Sequence, residues 1–292
     1  MNTRIPAARA LPSTRLGVAR VAAWRAETGS PLCAHPDEVS VEEPLEIRIA
    51  GEPLAVTMRT PGHDHELVAG FLLAEGLVRS RHDLGTISHC TRTGQAGAGN
   101  VMDVLPAPGS VLDVEALAHT RRGTLTTAAC GVCGRTLIDD LVARLAPAAP
   151  APPFSTAFLA DLPKQLRAQQ PNFDRTGGLH AAGIAHPDAG FLVVREDVGR
   201  HNAVDKAVGR LLLDDRLPLT GSVLVVSGRT SFEIVQKALA AGLSGVIGVS
   251  APSSLAVSTA AEFELLLCGF ARHSGFNVYA GESRLAAAPQ RP

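Results

Sequence analysis

The sequence predicts an α/β protein with a smaller α+β part at its N-terminal end, and three observations lead to that prediction. The chain has 292 residues, 46% of them hydrophobic, which is enough to bury one large core or two medium ones. From residue 179 onward, runs of strand length alternate with segments of helical periodicity. Several of those runs are apolar on both faces, which is typical of a covered sheet with parallel strand pairs.

The first part of the chain combines a hairpin, a helix and further strands. Residues 45–59 alternate apolar and polar side chains on either side of Gly51-Glu52, which predicts a hairpin. Thr60-Pro61 is predicted to start a helix, because acidic residues and then one apolar face follow it. Residues 85–92 and 100–114 are predicted strands.

The second part is predicted to alternate strands and helices. The predicted strands are 179–185, 191–197, 222–227, 246–249 and 276–280, and the predicted helices are 137–145, 201–213, 231–240 and 254–267. The proline-rich residues 146–153 are the clearest break in composition and are interpreted as a linker inside this part. We therefore divide the chain into an N-terminal α+β domain at 1–125, a cysteine loop at 126–135 and a larger α/β domain at 136–292.

Composition excludes several classes of function. The formal net charge is −1 and the aromatic residues are nine Phe, one Trp and one Tyr, so neither a global field nor a base-stacking surface for nucleic acid is expected. Five unevenly spaced cysteines favour free thiols in a reducing cytoplasm.

The N-terminal residues allow two interpretations of targeting. The first 25 residues hold five arginines and no acid, as in a transit peptide, but residues 16–22 alternate like a strand, which we favour. The chain has no apolar run long enough for a signal peptide or a membrane span.

Two cysteines, Cys130 and Cys133, form a CxxC pair between glycines. A structural zinc site usually needs four ligands, and no second pair exists. A zinc deaminase needs H-x-E before P-C-x-x-C, but H-x-E is absent and Ala129 precedes Cys130. We therefore expect no metal and no deaminase chemistry.

Two chemical roles for the CxxC pair remain, a redox pair and a persulfide carrier. A helix is predicted after Cys133 and Arg135 adds positive charge, and both lower the pKa of a nearby thiol. The glycines Gly131 and Gly134 indicate a flexible loop whose sulfurs can be reached. We expect the isolated Cys33, Cys90 and Cys268 to be packing or surface thiols.

Two polar stretches lie where a strand ends and a helix begins. One runs from Arg195 to Lys206 (REDVGRHNAVDK), and the other is Ser227-Gly228-Arg229-Thr230-Ser231. Each alone could be a solvated loop with a helix cap. Together they favour an anion such as a phosphate group, held by Arg229 and Thr230 at a helix N-terminus. No P-loop or GxGxxG motif is present.

Taken together, six stretches resemble one family in that family's order. They are TPGHDHELVAGFLLAEG, CGVCG, TGGLHAAG, REDVGRHNAVDKAVG, SGRTSFEIVQKALAAG and FARHSGFNVYA. This chain resembles the formate dehydrogenase accessory sulfurtransferase (FdhD) family over about residues 40–282. The larger domain of that family is similar to the cytidine deaminase fold, which implies a three-layer α/β domain here.

The resemblance implies a sulfur carrier. It implies that Cys130 takes persulfide sulfur from a cysteine desulfurase, with Cys133 as its helper, and passes it to the bis-(molybdopterin guanine dinucleotide) molybdenum cofactor. It further implies formate dehydrogenase as a partner and a homodimer. The family's cofactor-binding segment maps onto Phe270, Ala271, Arg272, His273, Ser274 and Gly275.

Two other classes stay open at this point. One is a thiol–disulfide oxidoreductase that uses Cys130 and Cys133. The other is a non-catalytic chaperone that binds a nucleotide cofactor. We also expect a guanine nucleotide to bind better than an adenine nucleotide, with Phe270 stacking on the base and Arg272 hydrogen-bonding to it.

Overall fold

The computed structural model describes residues 11–15 (backbone only), 17–90, 99–110, 112, 142–143, 145–272 and 275–286. Within these residues the chain forms four β-sheets and six α-helices. None of the described helices combines the length and the apolar character that a membrane-spanning helix needs.

The N-terminal part is built on three small sheets. A three-stranded sheet holds β1 (Leu11–Arg15), β2 (Val18–Val21) and β5 (Asp37–Ser40), and β3 (Trp24–Arg25) pairs with β4 (Cys33–Ala34). A four-stranded sheet has the order β7-β6-β9-β8, with β6 (Glu43–Ile49), β7 (Glu52–Arg59), β8 (Leu84–His89) and β9 (Val101–Pro106). Helix α1 (Asp64–Ala74) packs against this sheet through apolar residues such as Leu67 and Leu72.

The second part is one mixed sheet of six strands in the order β11-β10-β12-β13-β14-β15. Its strands are β10 (His180–His186), β11 (Gly190–Asp197), β12 (Val223–Val226), β13 (Gly245–Gly248), β14 (Leu266–Arg272) and β15 (Gly275–Ala280). The pairs β12–β13 and β13–β14 are parallel, as the runs of apolar residues predict. The helices of this part are α2 (Thr156–Arg167), α3 (Pro171–Thr176), α4 (Arg200–Leu213), α5 (Phe232–Ala240) and α6 (Ser254–Glu262).

The six-stranded sheet is covered on both faces, so this part has three layers. On one face, Val223 and Val225 of β12 pack with apolar residues of α2 such as Leu162. On the other face, Leu224 and Val226 join a core that includes residues of α4, α5 and α6. The prediction of an α/β fold is confirmed.

The two parts share a core where α1 crosses α4. A Cβ built on Gly70 of α1 would lie 2.0 Å from the carbonyl oxygen of Asp205, and one on Gly209 of α4 would lie 1.9 Å from that of Glu66. The backbones therefore touch at two glycines. Buried residues of α1, α4 and both larger sheets belong to one continuous cluster, which includes Leu45, Val68, Val204 and Ile184.

The structure corrects two predicted helices. Helix α1 begins at Asp64, not at Thr60, because Gly62 and His63 have left-handed φ values of 106° and 59° that interrupt the chain. The predicted helix 254–267 ends at Glu262, and its last residues open β14 instead. A short run such as Leu265–Cys268 is apolar at every position, so periodicity cannot separate a strand from a helix there.

Other predictions differ in length or lie outside the described residues. Strands β8 and β9 are shorter than the predicted 85–92 and 100–114. Within the predicted strand 16–22, residues Val18–Val21 form β2. Most of the predicted helix 137–145 and both edges of the cysteine loop lie outside the described residues, so the domain boundaries stay predictions.

Candidate functional site

The two cysteines of the CxxC pair, Cys130 and Cys133, lie outside the described residues, and their roles stay predictions. The other three cysteines form no disulfide: Cys33 is exposed, Cys90 is half-buried and Cys268 is buried. Burial raises the pKa of the Cys268 thiol to about 12, so this sulfur stays protonated and serves as a packing group.

A cavity of about 600 Å³ lies where the three parallel strands end. Ser227 and Val249 directly follow β12 and β13, and Ala271 and Arg272 end β14. The opposite wall comes from α2, α3 and the glycine-rich turn that follows α3. The lining residues are Pro163, Lys164, Leu166, Arg167, Gln170, Phe173, Gly177, Gly178, Leu179, His180, Ser227, Val249, Ala271 and Arg272. Ligands of open α/β sheets bind at this edge, outside the carboxyl ends of the strands.

A second cavity of about 540 Å³ lies between α1 and α5, and its lining has a single charged residue, Arg79. The remaining lining residues are mostly apolar, including Leu73, Val78 and Leu239. Since the first cavity joins the strand ends to several charged groups, we place the candidate site there.

The charged side chains around the first cavity are all basic. Lys164, Arg167 and Arg272 carry positive charge, and no described aspartate or glutamate belongs to the lining. The fourth basic group is His180, and burial lowers its pKa. The charges of Arg200 and Arg229 lower this pKa further, while the charge of Asp197 raises it by less. His180 is therefore neutral at pH 7. Among the described residues Arg167 is paired with Asp174, while Lys164 and Arg272 form no ion pair, so the cavity keeps a positive charge that suits an anionic ligand.

The structure brings part of the predicted cofactor segment to this cavity. Ala271 and Arg272 line it, whereas Phe270 is not among the lining residues and has 44% of its surface exposed. Phe270 also has a left-handed φ of 52°, at a register shift between β14 and β15. Gly275 begins β15 and is exposed, while His273 and Ser274 lie outside the described residues.

The other predicted ligand residues, Arg229 and Thr230, lie next to the cavity rather than in its lining. Arg229 is exposed, and its charge acts on His180. Thr230 is buried, and its Oγ1 lies close to Gly248: a Cβ built on Gly248 would lie 2.6 Å from this oxygen. Helix α5 begins after Ser231, whose hydroxyl lies 3.2 Å from Nε2 of His201.

Most of the stretch REDVGRHNAVDK has a structural role. Lys206 and Asp197 form an ion pair at 2.6 Å, with side chains 1% and 0% exposed. The Asp197 carboxylate also accepts from the backbone amide of Thr60, Lys206 donates to the carbonyl of Thr60, and Asn202 donates to the carbonyl of Met58. We call Thr60, Asp197, Asn202 and Lys206 the polar junction, because they join α4 to the chain that enters α1.

Sequence reasoning missed the wall of the cavity formed by α2 and α3. Lys164 and Arg167 are three residues apart, so they lie on one side of α2. Phe173 lies on α3, whose first amides are capped by a carboxylate: Asn172 and Phe173 donate to Glu196 at 3.1 and 2.8 Å. The sequence signal that could have indicated this wall is the glycine-rich turn at 176–180, where Gly177 takes a left-handed φ of 64°.

Metal ligands are not clustered in the described part of the chain. Among these residues, no group of three or more His, Cys, Asp or Glu side chains is arranged to hold a metal ion.

A comparison with protein families matches residues 40–286 to the FdhD/NarQ family. Two similar relatives are each described as "Sulfur carrier protein FdhD". The one from Streptomyces coelicolor is 52% identical over 257 residues, which is 86% of this chain and 90% of the relative. The one from Anaeromyxobacter dehalogenans is 51% identical over 255 residues, covering 85% of this chain and 88% of the relative.

A solved structure has the same fold. It is the crystal structure of a protein from Desulfotalea psychrophila that is described as a formate dehydrogenase accessory protein. The match has a TM-score of 0.73 at 21% identity and covers 92% of this chain and 100% of the other.

Proposed function

The chain belongs to the FdhD/NarQ family, and on that premise we propose that it is a cytoplasmic sulfur carrier that serves a formate dehydrogenase. In this proposal Cys130 accepts sulfur from a cysteine desulfurase as a persulfide. The protein, as a homodimer, then delivers that sulfur to the bis-(molybdopterin guanine dinucleotide) molybdenum cofactor, which is its substrate.

The first step moves one sulfur atom between two thiols. The Cys130 thiolate attacks the outer sulfur of the persulfide on the desulfurase. A new S–S bond forms on Cys130, the S–S bond on the desulfurase breaks, and the desulfurase thiolate leaves with the electron pair. No oxidant or reductant is needed for this step.

The second step requires two electrons if the cofactor receives the sulfur as sulfide. Cys133 can supply them by attacking the inner sulfur of the Cys130 persulfide. A Cys130–Cys133 disulfide forms and hydrosulfide leaves towards the cofactor, and a cellular dithiol then reduces the disulfide. This sequence gives both cysteines of the pair a role.

The observation that carries the proposal is the basic cavity at the carboxyl ends of the parallel strands. It is large enough for one nucleotide, and Arg272 of the predicted cofactor segment lines it. Lys164 is suited to the phosphates of one guanylyl group, and the planar guanidinium fork of Arg272 can bind two acceptor atoms of that group at once. Arg229, next to the cavity, extends the positive field.

The test is mass spectrometry of the protein after incubation with a cysteine desulfurase and cysteine. We expect a gain of one sulfur atom on Cys130, absent in Cys130→Ala. In cells, Cys130→Ala should abolish formate dehydrogenase activity, and Cys133→Ala should leave part of it. The matched control replaces Cys33, Cys90 and Cys268 by serine and should retain the sulfur gain.

Two outcomes would contradict the sulfur-carrier proposal. A loss of two hydrogens without added sulfur would favour a thiol–disulfide oxidoreductase. No change of mass, combined with retained nucleotide binding, would favour a non-catalytic chaperone.

A further inference from the structure

An arginine and an aromatic ring that contact each other form part of one wall of the basic cavity. The guanidinium carbon of Arg167 lies 4.8 Å from the centroid of the Phe173 ring, within the range of a cation–π contact. Arg167 also forms an ion pair with Asp174, in which its Nη1 lies 2.5 Å from Oδ1 of the carboxylate. We call Arg167 and Phe173 together the platform.

The platform is fixed by contacts at both ends of α3. At the start of the helix, the carboxylate of Glu196 accepts from the amides of Asn172 and Phe173, so the backbone of Phe173 is tied to β11. At the end of the helix, Arg175 donates through Nε and Nη2 to the two oxygens of Glu38 at 2.8 and 2.7 Å. A site that is rigid before the ligand arrives loses less conformational entropy on binding.

The turn that follows α3 is held by contacts with strand β5. The hydroxyls of Ser40 and Thr176 lie 2.9 Å apart, and a Cβ on Gly178 would lie 2.9 Å from the Ser40 hydroxyl. Strand β5 therefore supports the rim of the cavity closely, and the glycine allows that approach.

Phe173 is the aromatic residue of the cavity lining. Among the described residues that line the cavity, the only other aromatic ring is the imidazole of His180, and Phe270 lies outside the lining. The Arg167 guanidinium lies over one face of the Phe173 ring, and such an arginine–aromatic pair next to further cations can bind nucleobases by stacking and their phosphates by charge.

We propose that the platform of Phe173 and Arg167 is the subsite for the purine base of the nucleotide ligand. The base stacks on the platform, and Arg272 is placed to recognise guanine through its O6 and N7 acceptors, a pair that adenine lacks. Lys164, three residues before Arg167 on α2, is placed for the phosphates. This inference rests on the proposed function only in that the ligand is a guanine nucleotide.

The experiment is calorimetric titration of the full-length protein with GDP, ADP and inorganic pyrophosphate. Stacking on an aromatic side chain is sequence-tolerant, so Phe173→Leu should weaken both GDP and ADP about tenfold. It should leave pyrophosphate binding unchanged, because pyrophosphate has no base. Phe173→Tyr should restore nucleotide affinity.

The matched control is Trp24→Leu, which changes an exposed aromatic residue outside the cavity lining and should bind GDP like the wild type. Phe270→Leu tests the alternative that the base stacks on the predicted cofactor segment. Leucine keeps much of the packing volume at residue 173, and an unchanged thermal midpoint shows that the variant is folded. If Phe173→Leu unfolds the protein, Arg167→Met carries the same test, since it keeps a long side chain and removes the guanidinium plane.

The outcomes separate this inference from the proposed function. Wild-type affinity for GDP in both platform variants, or a loss in Phe270→Leu instead, would overturn the platform as the base subsite while the cofactor site stands. Absence of GDP binding in the wild type would overturn both the platform and the nucleotide part of the proposed function. Sulfur transfer to Cys130, measured separately, is independent of either result.

Discussion

The polar junction and the basic cavity are both rich in charge, but their charges are compensated in different ways. In the polar junction, Asp197 and Lys206 are almost fully buried and pair with each other and with the backbone of Thr60. In the cavity, Lys164, Arg167 and Arg272 share one space, and the lining residues that the structure describes include no acid. In the polar junction the charged and polar groups are paired within the protein and stabilise the fold. The cavity, in contrast, keeps a positive charge that a ligand can neutralise.

The comparison shows that charge density in a sequence does not identify a site. REDVGRHNAVDK is the most charged stretch near a strand end, yet most of its polar groups are used inside the protein. The cavity draws two of its cations from α2 and the third from the end of β14, so no single short motif contains all three. What distinguishes the site is that, in the described part of the chain, its positive charges outnumber their partners: Arg167 pairs with Asp174, but Lys164 and Arg272 form no ion pair.

The largest effect is expected from breaking the polar junction. Asp197→Asn leaves the Lys206 ammonium buried without its counter-charge, and the loss of one partner of a buried pair costs about 3–5 kcal/mol. Urea denaturation should show this loss. The control Asp214→Asn removes the half-exposed partner of Arg210 and should cost about 1 kcal/mol or less. Equal stability of the two variants would contradict the structural role of the polar junction.

The next effect concerns the helix contact beside the polar junction. Gly209→Ala places a methyl group 1.9 Å from the carbonyl oxygen of Glu66, so α1 and α4 must separate. We expect a loss of about 1–3 kcal/mol in the free energy of unfolding. Gly275→Ala is the control, because nothing lies within 4 Å of a Cβ there. A stable Gly209→Ala protein would show that the two helices are not in contact.

A third effect tests the uncompensated charges of the cavity. Arg272→Ala should weaken GDP binding about tenfold, as expected for the loss of a charge-assisted hydrogen bond, with unchanged thermal stability. Arg229→Lys should weaken it less, because Arg229 does not line the cavity. Calorimetry on both variants measures the difference. If only Arg229→Lys loses affinity, the nucleotide binds at the start of α5 instead.

The smallest effect is the pH dependence that His180 adds. Its folded pKa is below the ordinary 6.5, because burial and the charges of Arg200 and Arg229 outweigh Asp197. An anion favours the protonated imidazole, so wild-type affinity for GDP should rise a few-fold relative to His180→Gln as pH falls below 6.5. Without ligand the sign is opposite: the unfolded chain takes up the proton first, so His180 destabilises the fold as pH falls below 6.5. Parallel pH profiles of affinity for the two proteins would contradict a role for His180 in the cavity.

The sequence predicted the larger sheet better than the site. The runs at 222–227 and 246–249 are bounded, apolar on both faces and β-branched, so β12 and β13 were predicted within one residue of their bounds. The predicted end of α6 was wrong, because the turn at Glu264 needs a left-handed φ of 54°, and a glutamate in the sequence does not indicate such a turn.

The fold brings only some of the predicted site residues to the cavity. Arg272 lines the cavity because β14 ends there, but Thr230 is turned towards Gly248 and Phe270 towards solvent. Phe173 and Arg167 could not be predicted, because their contact depends on the angle between α2 and α3, which no local pattern encodes. Cys130 and Cys133 stay predictions from the motif and the resemblance.

The glycine contact between α1 and α4 has a consequence for how the protein melts. Two helices whose backbones touch, within one continuous apolar cluster, cannot separate without exposing the interior of both halves to water. The four-stranded N-terminal sheet is therefore not a detachable module, and it should unfold cooperatively with the larger sheet. Calorimetry should show one transition, whose calorimetric and van't Hoff enthalpies agree.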